Sequence, residues 1–307
     1  MRPKATHIIS MSGGKDSLAT RLVAIEKGIE HIAVFADTGN EHQVTMDYLD
    51  YLEEATGPIF RVKADFSVRM AKKAEFIKTK WPGKHGVSQE FADSAANLLV
   101  PTGSPFLDLA IYKSRFPSTK ARFCSVELKR EILTDFSNSK QQDGERVYSW
   151  QGVRADESLA RMHLPQWQRE DKYFIVVRPI LGWTAERTFT MAKRHGIKPN
   201  PLYSMGFKRV GCMPCIHCGK DEMFQIQARF PEVIDRIREW ERMVAQATPW
   251  QCATFFSSDT IPGEGYSRAH IDAVVRWSKT HYGGKRIGFG LTKPETTECS
   301  SIYGLCE

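Results

Sequence analysis

An apolar run, His7-Ile8-Ile9-Ser10-Met11, gives way to Ser12-Gly13-Gly14-Lys15-Asp16-Ser17, and a stretch with Leu18, Leu22, Val23 and Ile25 follows at once. This order constrains the fold more than any other feature. It predicts a buried strand, a tight glycine turn and an amphipathic helix, the opening unit of an α/β sheet. Backbone N–H groups at such a turn and at the helix N-terminus make an anion site. Gly13 and Gly14 let the backbone approach a phosphate closely. Lys15 adds a point charge, Ser12 and Ser17 add hydroxyls, and Asp16 can orient a metal or cap the helix. The plainer alternative is a capped glycine turn; the flanking strand and helix favour phosphate binding.

The alternation continues. Ile32–Ala36 and Ile59–Val62 read as strands, with helices over Ser17–Lys27 and Glu41–Ala55. Strands separated by helices imply a parallel sheet covered on both faces, with ligands at the C-terminal ends of the strands. Residues 66–120 mix helical stretches with Pro/Gly breaks at Trp81-Pro82-Gly83, Pro101, Pro105 and Pro117, and read as an insertion or lid. Ser125–Phe136 reads as a helix, Val147–Val153 and Phe174–Val177 as strands, and Thr184–His195 as a helix. From residue 219 the chain becomes a charged helical stretch, Asp221–Ala247, in which Pro231 starts a new helix. Another helix is expected over 270–279, and an irregular segment over 283–307. The expected fold is α/β: a Rossmann-like sheet of five parallel strands with helices on both faces, plus a helical C-terminal extension. The division is a nucleotide-binding domain over 1–218 and a helical region with a cysteine-bearing tail over 219–307.

A net charge of +7 favours anionic partners, nucleotides first and nucleic acid second, although no Lys/Arg block is dense enough to mark a nucleic-acid patch. No apolar run approaches the roughly 18–20 residues of a membrane span, and the Met-Arg-Pro-Lys start lacks an apolar signal region. The expected compartment is the cytoplasm. There, seven cysteines suit metal ligation or redox chemistry better than a disulfide framework.

Several motifs carry chemistry. Asp37-Thr38-Gly39-Asn40-Glu41 follows the second strand and can hold ribose, Mg²⁺ or the adenine edge, or act only as a helix cap. Gly152-Val153-Arg154-Ala155-Asp156-Glu157-Ser158, with Arg161 one turn on, puts two guanidinium forks where phosphate or sulfate oxygens would lie; a surface ion-pair network is the alternative. Cys212, Cys215 and Cys218 stand at C-x2-C-x2-C spacing, with Cys124 as a fourth thiol. Four thiolates suit a [4Fe–4S] cluster or tetrahedral Zn²⁺, and His217 can replace one of them in a zinc site. Cys299 and Cys306, in the tail, suit a catalytic or sulfur-carrying role if their thiols are activated. Cys252 has no evident partner and reads as a core residue.

Together these residues resemble the phosphoadenosine-phosphosulfate reductase family, within the adenine-nucleotide α-hydrolase, or PP-loop ATP pyrophosphatase, superfamily (the HUP type of sheet). The carriers are Ser12–Ser17, Asp37-Thr38-Gly39, Cys124 to Lys129, Gly152–Arg161, Arg178-Pro179-Ile180, Trp183 and Asn200–Cys215. The glycine loop lacks the G-x-x-x-x-G-K-[ST] spacing of a Walker A motif. It resembles the PP-loop, which grips the β,γ-diphosphate of ATP and leaves the α-phosphate open to attack.

The resemblance implies two chemistries. Reductases of the family cleave a sulfonucleotide with a tail cysteine in a Glu-Cys-Gly-(Ile/Leu)-His setting and carry a degraded PP-loop. Here Glu298-Cys299 is followed by Ser300-Ser301, and the loop is complete. Iron–sulfur reductases carry a Cys-Cys pair where this chain has Cys124-Ser125, with Cys218 supplying a substitute ligand. The expected activity is therefore ATP pyrophosphatase chemistry that adenylylates an unidentified acceptor, in sulfur transfer or nucleic-acid modification, with a sulfur-donor protein as a further partner. Lys15, Asp16, Arg154, Arg161 and Cys299 would be catalytic. Ser12, Gly13, Gly14, Lys15, Asp16, Ser17, Asp37, Thr38, Gly39 and Gly152 would bind ATP with Mg²⁺, and Cys124, Cys212, Cys215 and Cys218 would hold the cluster. The alternatives are a sulfonucleotide reductase using Cys299 and a non-catalytic ATP-sensing or nucleic-acid-binding module.

Overall fold

The computed structural model describes residues 5–141, 145–261 and 269–280. The tail with Cys299 and Cys306 lies outside them, as does the segment 283–307 expected to be irregular. In chain order the elements are β1 (Ala5–Met11), α1 (Lys15–Glu26), β2 (Ile32–Asp37), α2 (Gln43–Thr56), β3 (Ile59–Lys63), α3 (Ser67–His85), α4 (Gln89–Asn97) and α5 (Pro105–Lys113). They continue with α6 (Phe123–Ser125), a π-helical stretch Val126–Arg130, α7 (Glu131–Lys140), β4 (Arg146–Trp150), α8 (Leu159–Met162), β5 (Trp167–Arg169) and β6 (Phe174–Val177). The last are α9 (Ala185–Arg194), α10 (Lys220–Arg229), α11 (Pro231–Gln246) and α12 (Ile271–Ser278).

Among the described residues six strands form one sheet, in the order β3-β2-β1-β4-β6-β5. The five expected parallel strands are β3, β2, β1, β4 and β6. The sixth, β5, is a correction: it pairs antiparallel with β6 at the edge, Trp167 opposite Val177. Three residues carry too little alternation to announce a strand. Arg178 holds this one in place by donating to the Pro165 carbonyl (2.8 Å) and to Gln168 Oε1 (2.9 Å). The strand order reverses between β1 and β4, which opens a crevice at their C-terminal ends, where such sheets take ligands.

The two faces of β1 are buried differently. Ile9 and Met11 pack with Leu18 and Leu22 of α1, Leu49 and Leu52 of α2 and Met191 of α9. Ile8, with Val34 and Val147, meets Leu133 and Phe136 of α7. A larger core joins the helices of 66–120 to those beyond 219. Phe106 of α5 stacks on Trp240 of α11 (5.7 Å between centroids) and on Phe255 (5.7 Å).

Two local expectations are corrected. The break expected at Pro82 does not end α3, which runs on to His85. Proline denies the Lys78 carbonyl its i+4 donor, and the Gln89 side chain donates to that carbonyl instead (3.2 Å). Cys252 is exposed, not a core residue. Pro231 starts α11 as expected. No helix among the described residues is long and apolar enough to cross a membrane.

Candidate nucleotide-binding site

The loop after β1 is tightly specified. Gly13 has φ +70°, and a Cβ there would stand 2.8 Å from Thr45 Cγ2 of α2. Both the backbone and the space require glycine. Gly14 caps α1. Ser17 braces the turn: its hydroxyl donates to the Gly14 carbonyl (2.9 Å) and accepts from the Ser12 N–H (3.1 Å). Ser12 donates to Ser17 Oγ (3.1 Å), so both hydroxyls serve the loop itself.

The charges beyond it form a chain. Lys15, 7% exposed, places Nζ 3.0 Å from Asp16 Oδ2. Burial pulls the Lys15 ammonium below its usual range, and Asp16 opposes that shift. Asp16 Oδ1 accepts from Arg154 Nε (2.7 Å), and Arg154 Nη1 donates to Asp156 Oδ2 (2.6 Å). Arg161 pairs with Glu157 and stands within electrostatic reach of Arg209, Asp16 and Arg154. Burial, then Arg209, lowers its pKa. Gly152 lets the β4 loop reach this chain: a Cβ there would lie 2.7 Å from Asp16 C and O and 2.8 Å from Ser17 N.

The turn after β2 is equally occupied. Asp37 accepts from the Gly39 N–H (2.8 Å) and pairs with Lys63 (2.9 Å). The Thr38 N–H and hydroxyl both donate to Glu41 Oε2 (3.1 and 2.7 Å). Gly39, at φ +71°, is closed in by Ser104 and Pro105, and the Phe106 N–H donates to the Thr38 carbonyl (2.8 Å), so α5 is stapled to this turn.

The cysteine loop docks on the same turn. Glu41 bridges Cys212 in antiparallel fashion, the Met213 N–H donates to the Asn40 carbonyl (2.7 Å), and Asn40 Nδ2 donates to the Pro214 carbonyl (3.0 Å). Arg236 of α11 closes the assembly on Asn40 Oδ1 (3.1 Å) and the Met213 carbonyl (2.5 Å). Cys215 lies within electrostatic reach of Cys124, Cys212 and Cys218. Burial pushes the Cys212 thiol up to about 12 and lifts those of Cys124 and Cys218. The neighbouring Lys129 ammonium is held above its usual range, by Cys212 foremost. Among the described residues, no three His, Cys, Asp or Glu side chains are gathered as a set for a metal ion.

The family model described as the phosphoadenosine phosphosulfate reductase domain matches residues 6–95 and 113–218, more than half of the chain. The chain belongs to the phosphoadenosine phosphosulfate reductase family. An uncharacterized 37.8 kDa protein of Escherichia phage 186 is 47% identical over 98% of this chain and 96% of its own length. An uncharacterized protein of Methanocaldococcus jannaschii is 26% identical over 74% of the chain, which spans 45% of that relative's length. The adenosine 5'-phosphosulfate reductase of Streptomyces coelicolor is 38% identical over 66 residues, 21% of this chain and 28% of that protein. A crystal structure of phosphoadenylyl-sulfate (PAPS) reductase from Candida auris, a phosphate complex, aligns over 69% of this chain and 83% of that one, at TM-score 0.43 and 17% identity.

In this member of the reductase family, Ser12–Ser17, Gly152, Arg154 and Arg161 stand together at the crevice between β1 and β4, and Asp37, Thr38 and Gly39 line the neighbouring strand end. Three residues gained importance only from tertiary contacts. Glu41 joins Thr38 to Cys212 (Sγ to Oε1 3.6 Å) and to Lys129 (3.8 Å). Asn200 Nδ2 donates to the Gly13 carbonyl (3.2 Å), and Tyr203 Oη accepts from the Lys15 N–H (3.0 Å). The Asn200-Pro201-Leu202-Tyr203 motif was visible in the sequence; its partner was not.

Proposed function

We propose that the chain binds ATP at residues 12–17 and cleaves it between the α- and β-phosphates, transferring the adenylyl group to an acceptor. The observation that carries this reading is the Lys15–Asp16–Arg154 ion-pair chain, set on the first turn of α1 where the strand order reverses. An acceptor oxygen would attack the α-phosphorus as the bond to the bridging oxygen breaks and pyrophosphate leaves. The protein's part is positioning and charge neutralisation. Lys15 would hold the diphosphate, Arg154 and Arg161 an anionic acceptor or the developing charge, and Asp37 and Gly39 would border the adenosine. Both Asp16 oxygens already face cations, so Mg²⁺ would arrive on the nucleotide's own phosphates. The complete Ser-Gly-Gly-Lys-Asp-Ser loop supports ATP, since the family resemblance associates a degraded loop with nucleotides lacking a β,γ-diphosphate.

The thiols of Cys124, Cys212, Cys215 and Cys218 have the donor chemistry of a four-thiolate group, though they are not gathered here as a ligand set: all are soft donors, the other three within electrostatic reach of Cys215, and Lys129 supplies compensating positive charge. A [4Fe–4S] cluster there, with Zn²⁺ as the alternative, would supply an anchor for the cysteine loop and a sulfur or electron relay. The second reading is a sulfonucleotide reductase using Cys299, favoured by the matches to adenosine 5'-phosphosulfate reductases.

Incubation with α-labelled ATP and Mg²⁺ tests the choice. AMP-linked product and pyrophosphate, lost in Lys15→Ala, are expected. Sulfite released from adenylyl sulfate and lost in Cys299→Ser would replace this reading with the reductase. ATP binding without turnover, alongside salt-sensitive binding of DNA or RNA, would replace it with the sensing module.

A further inference from the structure

We infer that Tyr203 is a positioning residue of the phosphate loop: it holds the first N–H of α1 and so sets where a phosphate can sit. This deepens the reading of residues 12–17 as a diphosphate-binding loop and rests on it. A helix leaves its first N–H groups without intrahelical partners, and in a phosphate loop those groups serve the ligand. Here the Lys15 N–H is already taken by Tyr203 Oη at 3.0 Å. The first intrahelical bond is Leu18 N–H to the Gly14 carbonyl (3.2 Å).

The hydroxyl is wedged in place. A Cβ on Gly14 would stand 3.3 Å from it, tighter than ordinary contact, so the glycine leaves the hydroxyl room. The ring is 2% exposed and meets Phe189 edge-on at 5.3 Å. The Lys15 ammonium lies over the same ring, 5.5 Å from its centroid. Three residues earlier, Asn200, 1% exposed, caps the 3-10 turn Pro201–Tyr203, donates to the Gly13 carbonyl (3.2 Å) and accepts from the Leu202 N–H (3.0 Å). The 200–203 segment therefore grips the loop at Gly13 and Lys15. A ligand would have to unpack a buried aromatic to claim the Lys15 N–H. The diphosphate accordingly sits one step outward, under the Lys15 ammonium and Arg154, and the tyrosine shapes that seat before the ligand arrives.

The test is Tyr203→Phe, which removes the hydroxyl and keeps the ring. Calorimetry with ATP, inorganic pyrophosphate and AMP, and amide exchange at Lys15 in the ligand-free protein, are the readouts. We expect Kd for ATP and pyrophosphate to rise about five- to tenfold, the scale of one net hydrogen bond. AMP binding should change less than about twofold, KM should rise by more than kcat falls, and exchange at Lys15 should accelerate. A merely structural loss would weaken all three ligands alike and overturn the inference. Tighter pyrophosphate binding in the variant would overturn it too, because the hydroxyl would then be a competitor. If the wild type binds neither ATP nor pyrophosphate, the functional reading fails on its own. The exchange rate at Lys15 still decides the tyrosine's role: acceleration in Tyr203→Phe supports it, and an unchanged rate overturns it.

Discussion

Gly152→Ala adds one carbon at the tightest backbone approach in the site. The new Cβ would meet Asp16 C and O at 2.7 Å and Ser17 N at 2.8 Å, where ordinary contact begins near 3.4 Å. Something must therefore move by about 0.7 Å, and the three nearest atoms are all backbone. The sheet cannot yield cheaply, because β4 is hydrogen-bonded to both β1 and β6. Nor can α1, whose Leu18 and Leu22 lie in the core with α9. The β4 loop is the softer side, and lifting it draws Arg154 Nε away from Asp16 Oδ1, now 2.7 Å apart. Overpacking of this kind costs about 1–3 kcal/mol, which lowers the melting temperature by about 3–10 °C. Loss of a charge-assisted hydrogen bond of roughly 1.5–3 kcal/mol weakens nucleotide binding by about 10- to 100-fold. Thermal unfolding and titration calorimetry with ATP measure the two effects. Gly182→Ala is the control, since nothing lies within 4 Å of a Cβ there. A Gly152→Ala protein that melts and binds like the Gly182→Ala control would refute the steric reasoning.

Two further outcomes follow from charges and thiols elsewhere. Lys73 donates to the Tyr112 carbonyl, to Ser114 Oγ (2.6 Å) and to the Ile111 carbonyl (3.4 Å), and burial followed by Lys113 brings its ammonium down to about 8. Between pH 8 and about 10.4 the unfolded chain holds that proton and the native one does not, so stability rises with pH; below pH 8 the penalty is present in full. Denaturation across this range should show wild type gaining roughly 3 kcal/mol relative to Lys73→Met, and a constant difference would contradict it. Anaerobically purified protein should carry iron and acid-labile sulfide, both largely lost in Cys215→Ser. One zinc per chain would instead assign the tetrahedral alternative, and neither metal would remove the four-thiolate assignment.

The parallel strands and the helix start at Pro231 were legible because each is written in local terms: apolar runs, glycine turns and a proline that fits only a first turn. The antiparallel strand β5 was not, because its three residues are held by β6 and by Arg178 rather than by a pattern of their own. Pro82 misled for the converse reason: its local penalty is met by Gln89, eleven residues from the carbonyl it serves. Cys252 reads as buried by residue type, yet it follows an exposed Trp250 and Gln251 at the surface.

At the site the same division holds. The sequence by itself determined the glycine loop, its lysine and the strand ends that present them, since spacing and periodicity are properties of neighbours along the chain. Only the tertiary structure decided that Tyr203 takes the Lys15 N–H, that Glu41 links Thr38 to Cys212, and that both Asp16 oxygens are engaged by cations. Those contacts join segments up to 188 residues apart. No local preference encodes such pairings; they arise when strand order and helix packing bring distant turns to one end of the sheet.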